Sequence, residues 1–445
     1  MRTQIFLAST LYGAATLAAA LDSDRFAAAD RRILLVCNNA ATPETTAPLD
    51  ELPGFERLRD RFDEVLSWNE TISPFHPSGW APRPDDVPLW ERYLRLLWRL
   101  GDARVELAVE SIQVNPALAV CQIFTGAPVT VYADGLMSYG PTRNKIDPLV
   151  GTRIDRLLHL DLVPGLRPVL LTEFGVEPEL VPTDAFLKVL AELGDTAPES
   201  PGLPEEPALL LGQYLAALDI LTAEEEEDLH VRMLRGVVGL GHTRVVFKPH
   251  PSAPARWSRA LEREAERLGA ELTVLDTPVL AEVLYQRVRP ALVAGCFSTG
   301  LFTAAALYGL PVARTGTGTL LERLTPYENS NRVPVTIVDA LLPDLDDAEA
   351  VTGQRRGMTV EELTELVEAV SFAMQPKIRP DLRPAAERYL AARLDGHTRR
   401  YFKRRRLTSL ALPGGVPTQL AFIPRNATVR RMARRARALG RAVGR

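Results

Sequence analysis

The apolar positions of this chain come in short blocks, not in long alternation. Gln4–Ala8, Ile33–Cys37, Glu64–Ser67, Val105–Val109 and Val129–Tyr132 are runs of four or five residues rich in Val, Ile and Leu. Such runs predict strands buried on both faces, as in a parallel sheet. Between them lie stretches with helical spacing, including Ala14–Leu21, Trp90–Leu100 and Pro116–Ile123. Residues 194–207 hold four prolines and no periodicity, which marks a linker. The alternation then restarts through Ala208–Leu211, Glu224–Leu240, Arg244–Lys248, Ala255–Leu268, Leu272–Leu275, Val279–Gln286, Ala291–Ala294, Thr299–Tyr308 and Pro311–Ala313. Two α/β halves with parallel sheets follow from this pattern. The first spans 1–193 and the second 208–395, followed by a tail over 396–445.

Composition narrows the class. At 445 residues the chain exceeds one ordinary core. No run of about 18 apolar residues marks a membrane span. Cys37, Cys121 and Cys296 are scattered and form no CxxC pair, which argues against a disulfide framework or zinc site and fits a reducing, cytoplasmic compartment. The apolar N-terminus could be read as a secretory signal, but Ser9, Thr10, Tyr12 and Gly13 interrupt it, so strand, glycine turn and helix is the preferred reading. Of the 52 lysines and arginines, 14 lie in residues 396–445, a stretch without Asp or Glu. The other 395 residues carry 38 basic against 56 acidic side chains. An acidic body with a basic tail results, and the tail would meet phosphate, polyanion or membrane surface. Basic residues are almost all arginine, so each of the five lysines stands out, Lys248 above all.

Three strand ends carry candidate chemistry. Lys248-Pro249-His250-Pro251 follows an apolar strand and places a cation and a titratable ring where ligands of open α/β sheets gather. The flanking prolines stiffen that turn. Gly295-Cys296-Phe297-Ser298-Thr299-Gly300 runs from a strand into a helix, where Ser298 or Thr299 is a natural cap and free N–H groups suit a phosphate. Ala133-Asp134-Gly135 ends a strand of the first half, and a carboxylate there could take a proton from an acceptor hydroxyl. Each has a plain structural alternative: a surface turn, a helix cap and a turn former. Other signals are weaker. His76-Pro77 lies in a proline-rich loop and could join Trp68, Asn69, Glu70 and Trp80 in an acceptor wall. Asp344-Leu345-Asp346 matches a metal-binding DxD pattern but reads as solvated charge, and Gly316-Thr317-Gly318 lacks the third glycine of a dinucleotide fingerprint. His159, His230, His242 and His397 show no ligand spacing.

Acidic-Gly in the first half, His-Pro in the second and a downstream Ser-Thr are the three sialyl motifs of bacterial sialyltransferases. The chain resembles the bacterial α-2,8-polysialyltransferase-like family from residue 1 to about 395. The Ser9–Gly13 loop (Thr10, Tyr12, Gly13) and the Leu211-Gly212-Gln213 strand end belong to the same likeness. It implies a GT-B fold, with two Rossmann-like domains facing each other across a cleft. It also implies a CMP-sialic acid donor, or a related nonulosonic acid, with inversion at the anomeric carbon and no metal or other cofactor. Carried over, Asp134 is the general base and His250 the acid for CMP departure. Ser298 and Thr299 bind the phosphate, with Lys248, Pro251, Gly212 and Gln213 on the donor side. The family pattern has two acidic residues before the glycine; here the first is Ala133.

In the tail, Val429, Met432, Ala436, Leu439 and Val443 recur at helical spacing among arginines. A basic amphipathic helix on the anionic inner face of a membrane and a solvated arginine tail both remain open. Nucleic acid is not an expected partner, because no recognition fold accompanies the charge. Two alternatives stand beside glycosyl transfer to a surface glycan. One is a CDP-glycerol-type glycerophosphotransferase; the other is an inactive relative acting as a scaffold, for which Ala133 is the main support.

Overall fold

The computed structural model describes residues 1–133, 135–196, 203–250, 258–275, 278–353 and 357–416. Seven parallel strands form the first sheet: β1 (Arg2–Ala8), β2 (Arg31–Val36), β3 (Glu64–Ser67), β4 (Arg104–Val109), β5 (Val129–Ala133), β6 (Ile154–His159) and β7 (Pro178–Leu180), in the order β3-β2-β1-β4-β5-β6-β7. Both faces are buried, which explains the unbroken apolar runs. Phe6, Leu34, Ala108 and Tyr132 point into one core, whereas Ile5, Ile33, Leu107 and Val131 point into the other. On the first face lie α1 (Leu11–Asp22) and, later, α4 (Thr183–Thr196); on the second lie α2 (Val87–Leu97) and α3 (Ala117–Ile123).

The second sheet has five parallel strands, β8 (Ala208–Leu211), β9 (Arg244–Lys248), β10 (Glu271–Val274), β11 (Leu292–Gly295) and β12 (Val312–Arg314), in the order β10-β9-β8-β11-β12. Its helices include α5 (Ala223–Gly239), α6 (Ser258–Leu268), α7 (Ala281–Val288), α8 (Thr299–Tyr308) and α9 (Arg332–Leu341). α10 (Val360–Met374) and α11 (Arg383–Arg393) follow, and the chain there returns to the first lobe. Gln375 Nε2 donates to Arg143 O at 2.6 Å and Arg379 Nη1 to Thr172 Oγ1 at 2.6 Å. From the other direction, Arg143 Nη1 donates to Ser330 Oγ at 3.1 Å. Two Rossmann-like lobes joined in this way are the GT-B plan.

Several boundaries differ from the sequence reading, each for a local reason. The helix expected over Trp90–Leu100 starts at Val87, where Pro88 suits a first turn, and ends at Leu97, because Arg99 takes a left-handed φ of 52°. β6 escaped notice because Asp155 and Arg156 interrupt its apolar run; Arg156 reaches out to Arg25 O at 2.6 Å. The segment 396–416, the first part of the basic tail, is packed. Tyr401 is buried and donates Oη to Asp339 Oδ2 at 2.9 Å, while Arg406 Nε donates to Ala373 O at 2.6 Å. Lys403 and Arg406 serve backbone carbonyls, whereas Arg399, Arg400, Arg404 and Arg405 stay exposed. The periodic stretch Val429–Val443 lies outside the described residues. Among the described residues no helix is long and apolar enough to cross a membrane.

Candidate active site

Strand order decides which strand ends can cooperate, since neighbours lie about 4.8 Å apart. In the second lobe β9, β8 and β11 are consecutive, so Lys248, Gly212 and Ser298 share one edge within about 10 Å. Gly212 N–H donates to Lys248 O at 2.8 Å, and a Cβ at Gly212 would stand 3.0 Å from the Phe247 ring and 3.1 Å from Lys248 O. Only glycine lets those two strand ends close. Gln213 Oε1 accepts from Phe297 N–H at 3.0 Å, tying the β8 end to the β11 turn. Ser298 caps α8 by accepting from Gly300 N–H at 3.1 Å. Gly300 in turn has no room for a side chain: a Cβ would meet Tyr285 Oη at 2.9 Å and Leu211 Cδ1 at 3.0 Å.

Charge at this edge is tuned by burial. Lys248 lies behind the strand end with Glu282 near it. Burial pushes the lysine down and the carboxyl up, and each charge holds back the other's shift. Thr303 Oγ1 donates to Glu282 Oε1 at 2.6 Å. His250 stacks on Tyr214, with centroids 5.9 Å apart and planes within 16°. Desolvation, then the charge of Lys248, hold its imidazole low, at about 4. Both causes favour the neutral ring over the imidazolium until a negative charge approaches. The side chain itself stays exposed at the sheet edge. Pro251 lies outside the described residues.

In the first lobe the edge is built from β1, β4 and β5. Thr10 caps α1, its Oγ1 accepting from Gly13 N–H at 2.9 Å. A Cβ on Gly13 would stand 2.9 Å from Glu110 Oε2, 3.1 Å from Thr10 Oγ1 and 3.2 Å from Tyr132 Oη. Glu110 directly follows β4, almost fully buried, and accepts from Ser9 N–H at 2.8 Å and from Ser9 Oγ; Tyr132 Oη shares its one proton between the nearer Leu7 O at 2.8 Å and Glu110 at 3.2 Å. Tyr12 packs edge-on against Phe186 at 5.3 Å. Sequence reasoning missed Glu110, although a carboxylate directly after an apolar strand is the signal that singled out Asp134. Asp134 itself lies outside the described residues; its neighbours do not. Ala133 is the last residue of β5, paired in register with the buried His159 of β6.

The two edges meet. A Cβ built on Gly135 would stand 2.7 Å from Thr299 Oγ1. Gly135 is in extended conformation, so closeness to the opposite lobe, and not backbone strain, is what requires glycine there. Behind this point a Cβ on Gly140 would touch Val333 of α9 at 3.4 Å.

Asn69 and Glu70 belong elsewhere. The β3 end is four strand spacings from β5, about 19 Å. Asn69 is engaged by Asn38, taking its N–H at 2.8 Å and donating to its carbonyl at 2.9 Å, while Glu70 is exposed. Trp68 is fully buried and so is core, not wall. His76 Nε2 lies 2.9 Å from Ala40 O and pins the proline-rich loop. The DxD pattern is ion-paired, Asp344 with Arg314 at 2.6 Å and Asp346 with Arg232 at 2.7 Å.

None of the curated proteins matches the chain. Among solved structures it is similar to the GT-B domain of a Photobacterium damselae sialyltransferase, with 12% identity over 76% of this chain and 96% of that one and a TM-score of 0.38. It is also similar to Acinetobacter baumannii MurG (12% identity, 86% and 99%, TM-score 0.41) and to a Rickettsia africae glycosyltransferase (11%, 86% and 94%, 0.39). Likenesses this remote carry no argument about chemistry. The sequence profile of the alpha-2,8-polysialyltransferase (POLYST) family is more telling, since it matches residues 4–317 and so takes in both facing edges. The chain belongs to that family of glycosyltransferases.

Proposed function

We propose that the protein transfers sialic acid, or a related nonulosonic acid, from a CMP-linked donor to a hydroxyl of a cell-surface glycan, inverting the anomeric carbon without a metal ion. The approach of Gly135 to Thr299 carries this reading, because it sets the turn after β5 against the capped start of α8. Asp134, one residue before that contact, takes the proton of the acceptor hydroxyl. The hydroxyl oxygen attacks the anomeric carbon as the bond to the CMP phosphate breaks. Ser298, Thr299 and the first N–H groups of α8 hold the phosphate, with Lys248 beside them. The phosphate's own charge draws a proton onto His250, since an opposite charge favours the ionised ring. His250 then passes that proton to the leaving phosphate. Gly212 and Gln213 keep the donor edge closed.

A thermal-shift panel of CMP, CDP and UDP is the first test. Stabilisation by CMP alone supports the reading, and by CDP alone it points to glycerophosphate transfer. Ala133 in the place of an acidic residue favours the third reading, an inactive scaffold, which no response to any nucleotide would support. Mass spectrometry of glycan acceptors incubated with CMP-sialic acid then detects the product directly.

A further inference from the structure

Half of the large apolar side chains that stand exposed among the described residues gather at α2. Leu89 is 67% exposed and Leu96 70%, with Leu97, Tyr93 and the neighbouring Phe75 also open to solvent. Leu89, Tyr93 and Leu96 follow helical spacing, so they form one outward stripe opposite the buried Leu94. Aromatic contacts continue the patch: Phe75 stacks on Trp80, Trp80 meets Trp90 at 4.7 Å, and Trp90 meets Tyr93 at 5.6 Å.

A cationic stripe runs beside the apolar one. Arg92, Arg95 and Arg99 line an open groove that also holds Glu91 and Asp102. Arg95 is used locally, donating to Glu91 at 3.0 Å and to the carbonyls of Gly101 and Ala103. Arg92 and Arg99 are exposed and, among the described residues, have no carboxylate in ion-pair range. At the helix entrance Arg83 pairs with Asp86 at 2.6 Å.

We propose that this face of α2 docks the protein on an anionic lipid surface. Leu89, Tyr93, Leu96 and Leu97 enter the boundary between headgroups and acyl chains, and Arg92 and Arg99 meet the lipid phosphates. An apolar stripe with cations at its flank is the arrangement that lies in a membrane interface. Tyr93 and the half-buried Trp90 and Trp80 suit the headgroup level, where amphipathic rings collect. A second copy of the chain fits less well, since twofold pairing of this face repeats the same cations opposite one another. Trp80 also packs on the fully buried Trp68 directly after β3, so the docking face is anchored to the core of the first lobe. This surface is independent of the basic tail and of the chemistry proposed above.

Flotation of the full chain with vesicles of phosphatidylglycerol and phosphatidylcholine in equal parts, and of phosphatidylcholine alone, tests the proposal. The parent protein is expected to float with the anionic vesicles. Leu89→Ser/Leu96→Ser should lower that partition by about tenfold or more. Arg92→Gln/Arg99→Gln should lower it about thirtyfold on anionic vesicles and little on neutral ones. All four side chains are exposed, and an unchanged circular-dichroism melt shows that each variant is folded. Equal flotation of parent and variants overturns the proposal, because the contact then lies elsewhere, in the tail for example. So does a parent that ignores vesicles yet forms a dimer which the leucine variant dissociates.

Discussion

Replacing Gly135 by alanine is the sharpest probe of how the two lobes meet. The new methyl would stand 2.7 Å from Thr299 Oγ1, about 0.7 Å short of an ordinary contact, with Thr299 Cβ and Cγ2 both at 3.7 Å. Of the other two staggered rotamers of Thr299, one puts Cγ2 at the contact and only the one that puts the Cβ hydrogen there clears it, so relief carries the hydroxyl away from its place. Either the lobes part by several tenths of an ångström or Thr299 leaves its place at the start of α8. Overpacking of this kind costs about 1–3 kcal/mol. The kinetic effect should be larger, since a reacting group misplaced by about 1 Å can cost about 100-fold.

Gly135→Ala should therefore lower kcat by about 10- to 100-fold, measured by CMP release with donor and acceptor saturating. Thr299→Ser keeps the hydroxyl and removes the methyl, so alone it should change kcat less than about threefold. In the double variant the serine can turn aside, and most of the lost rate should return. A coupling of about 0.5–3 kcal/mol between the two sites is the signature of direct contact. Additive effects, or a Gly135→Ala enzyme as fast as the parent, would refute the facing of Gly135 and Thr299 and with it the role proposed for Asp134.

His250→Ala should reduce kcat by about 100-fold or more with a much smaller change in donor KM, as expected of a group acting in the transition state; stopped assays over a donor series separate the two. Because the free imidazole titrates at about 4 and a bound phosphate raises it, CMP binding should take up a proton between those two pKa values. Affinity then falls by up to about tenfold per pH unit as pH rises through that window and levels off above the complex's pKa. Calorimetry in buffers of different ionisation enthalpy, with His250→Ala subtracting the phosphate's own titration, checks this; equal proton uptake by both proteins would sink it. Glu110→Gln turns an acceptor into a donor facing Ser9 and Tyr132, and should cost about 1–3 kcal/mol of stability, read as a lower urea midpoint.

Much of this architecture is legible in the chain because both sheets are parallel and buried. Such strands must be apolar throughout, so β1, β2, β4, β5, β8, β9 and β11 stand out as blocks. β6 and β7 do not, since Asp155, Arg156 and Pro178 satisfy edge positions and surface ion pairs. The donor edge was legible for the same reason as its strands: Lys248, Gly212 and Ser298 each follow an apolar block directly. Distances across the sheet were not. Asn69 follows β3 even more closely than Gly13 follows β1, but strand order places one far from β5 and the other two spacings away. Protonation was also hidden, because the depression of His250 depends first on burial, which the sequence does not display, and only then on the neighbouring Lys248.

The acidic residue missing at Ala133 invites the idea that Glu110, one strand away, takes over as base. Its hydrogen bonds argue otherwise. Ser9 N–H and Ser9 Oγ already donate to Glu110, Tyr132 Oη shares its proton between it and Leu7 O, and burial leaves it almost no access to an incoming hydroxyl. A general base needs a free lone pair within reach of the proton it removes. What Glu110 does instead is hold the Ser9–Gly13 turn, whose glycine has no space for a side chain because the carboxylate is there. Its charge, after burial, also pushes the Cys37 thiol upward, so that cysteine stays protonated beside the site. In the proposed mechanism the first lobe thus separates two duties that adjacent acidic residues could have shared: a buried carboxylate fixes the edge, and proton removal is assigned to Asp134, directly before the glycine that faces Thr299.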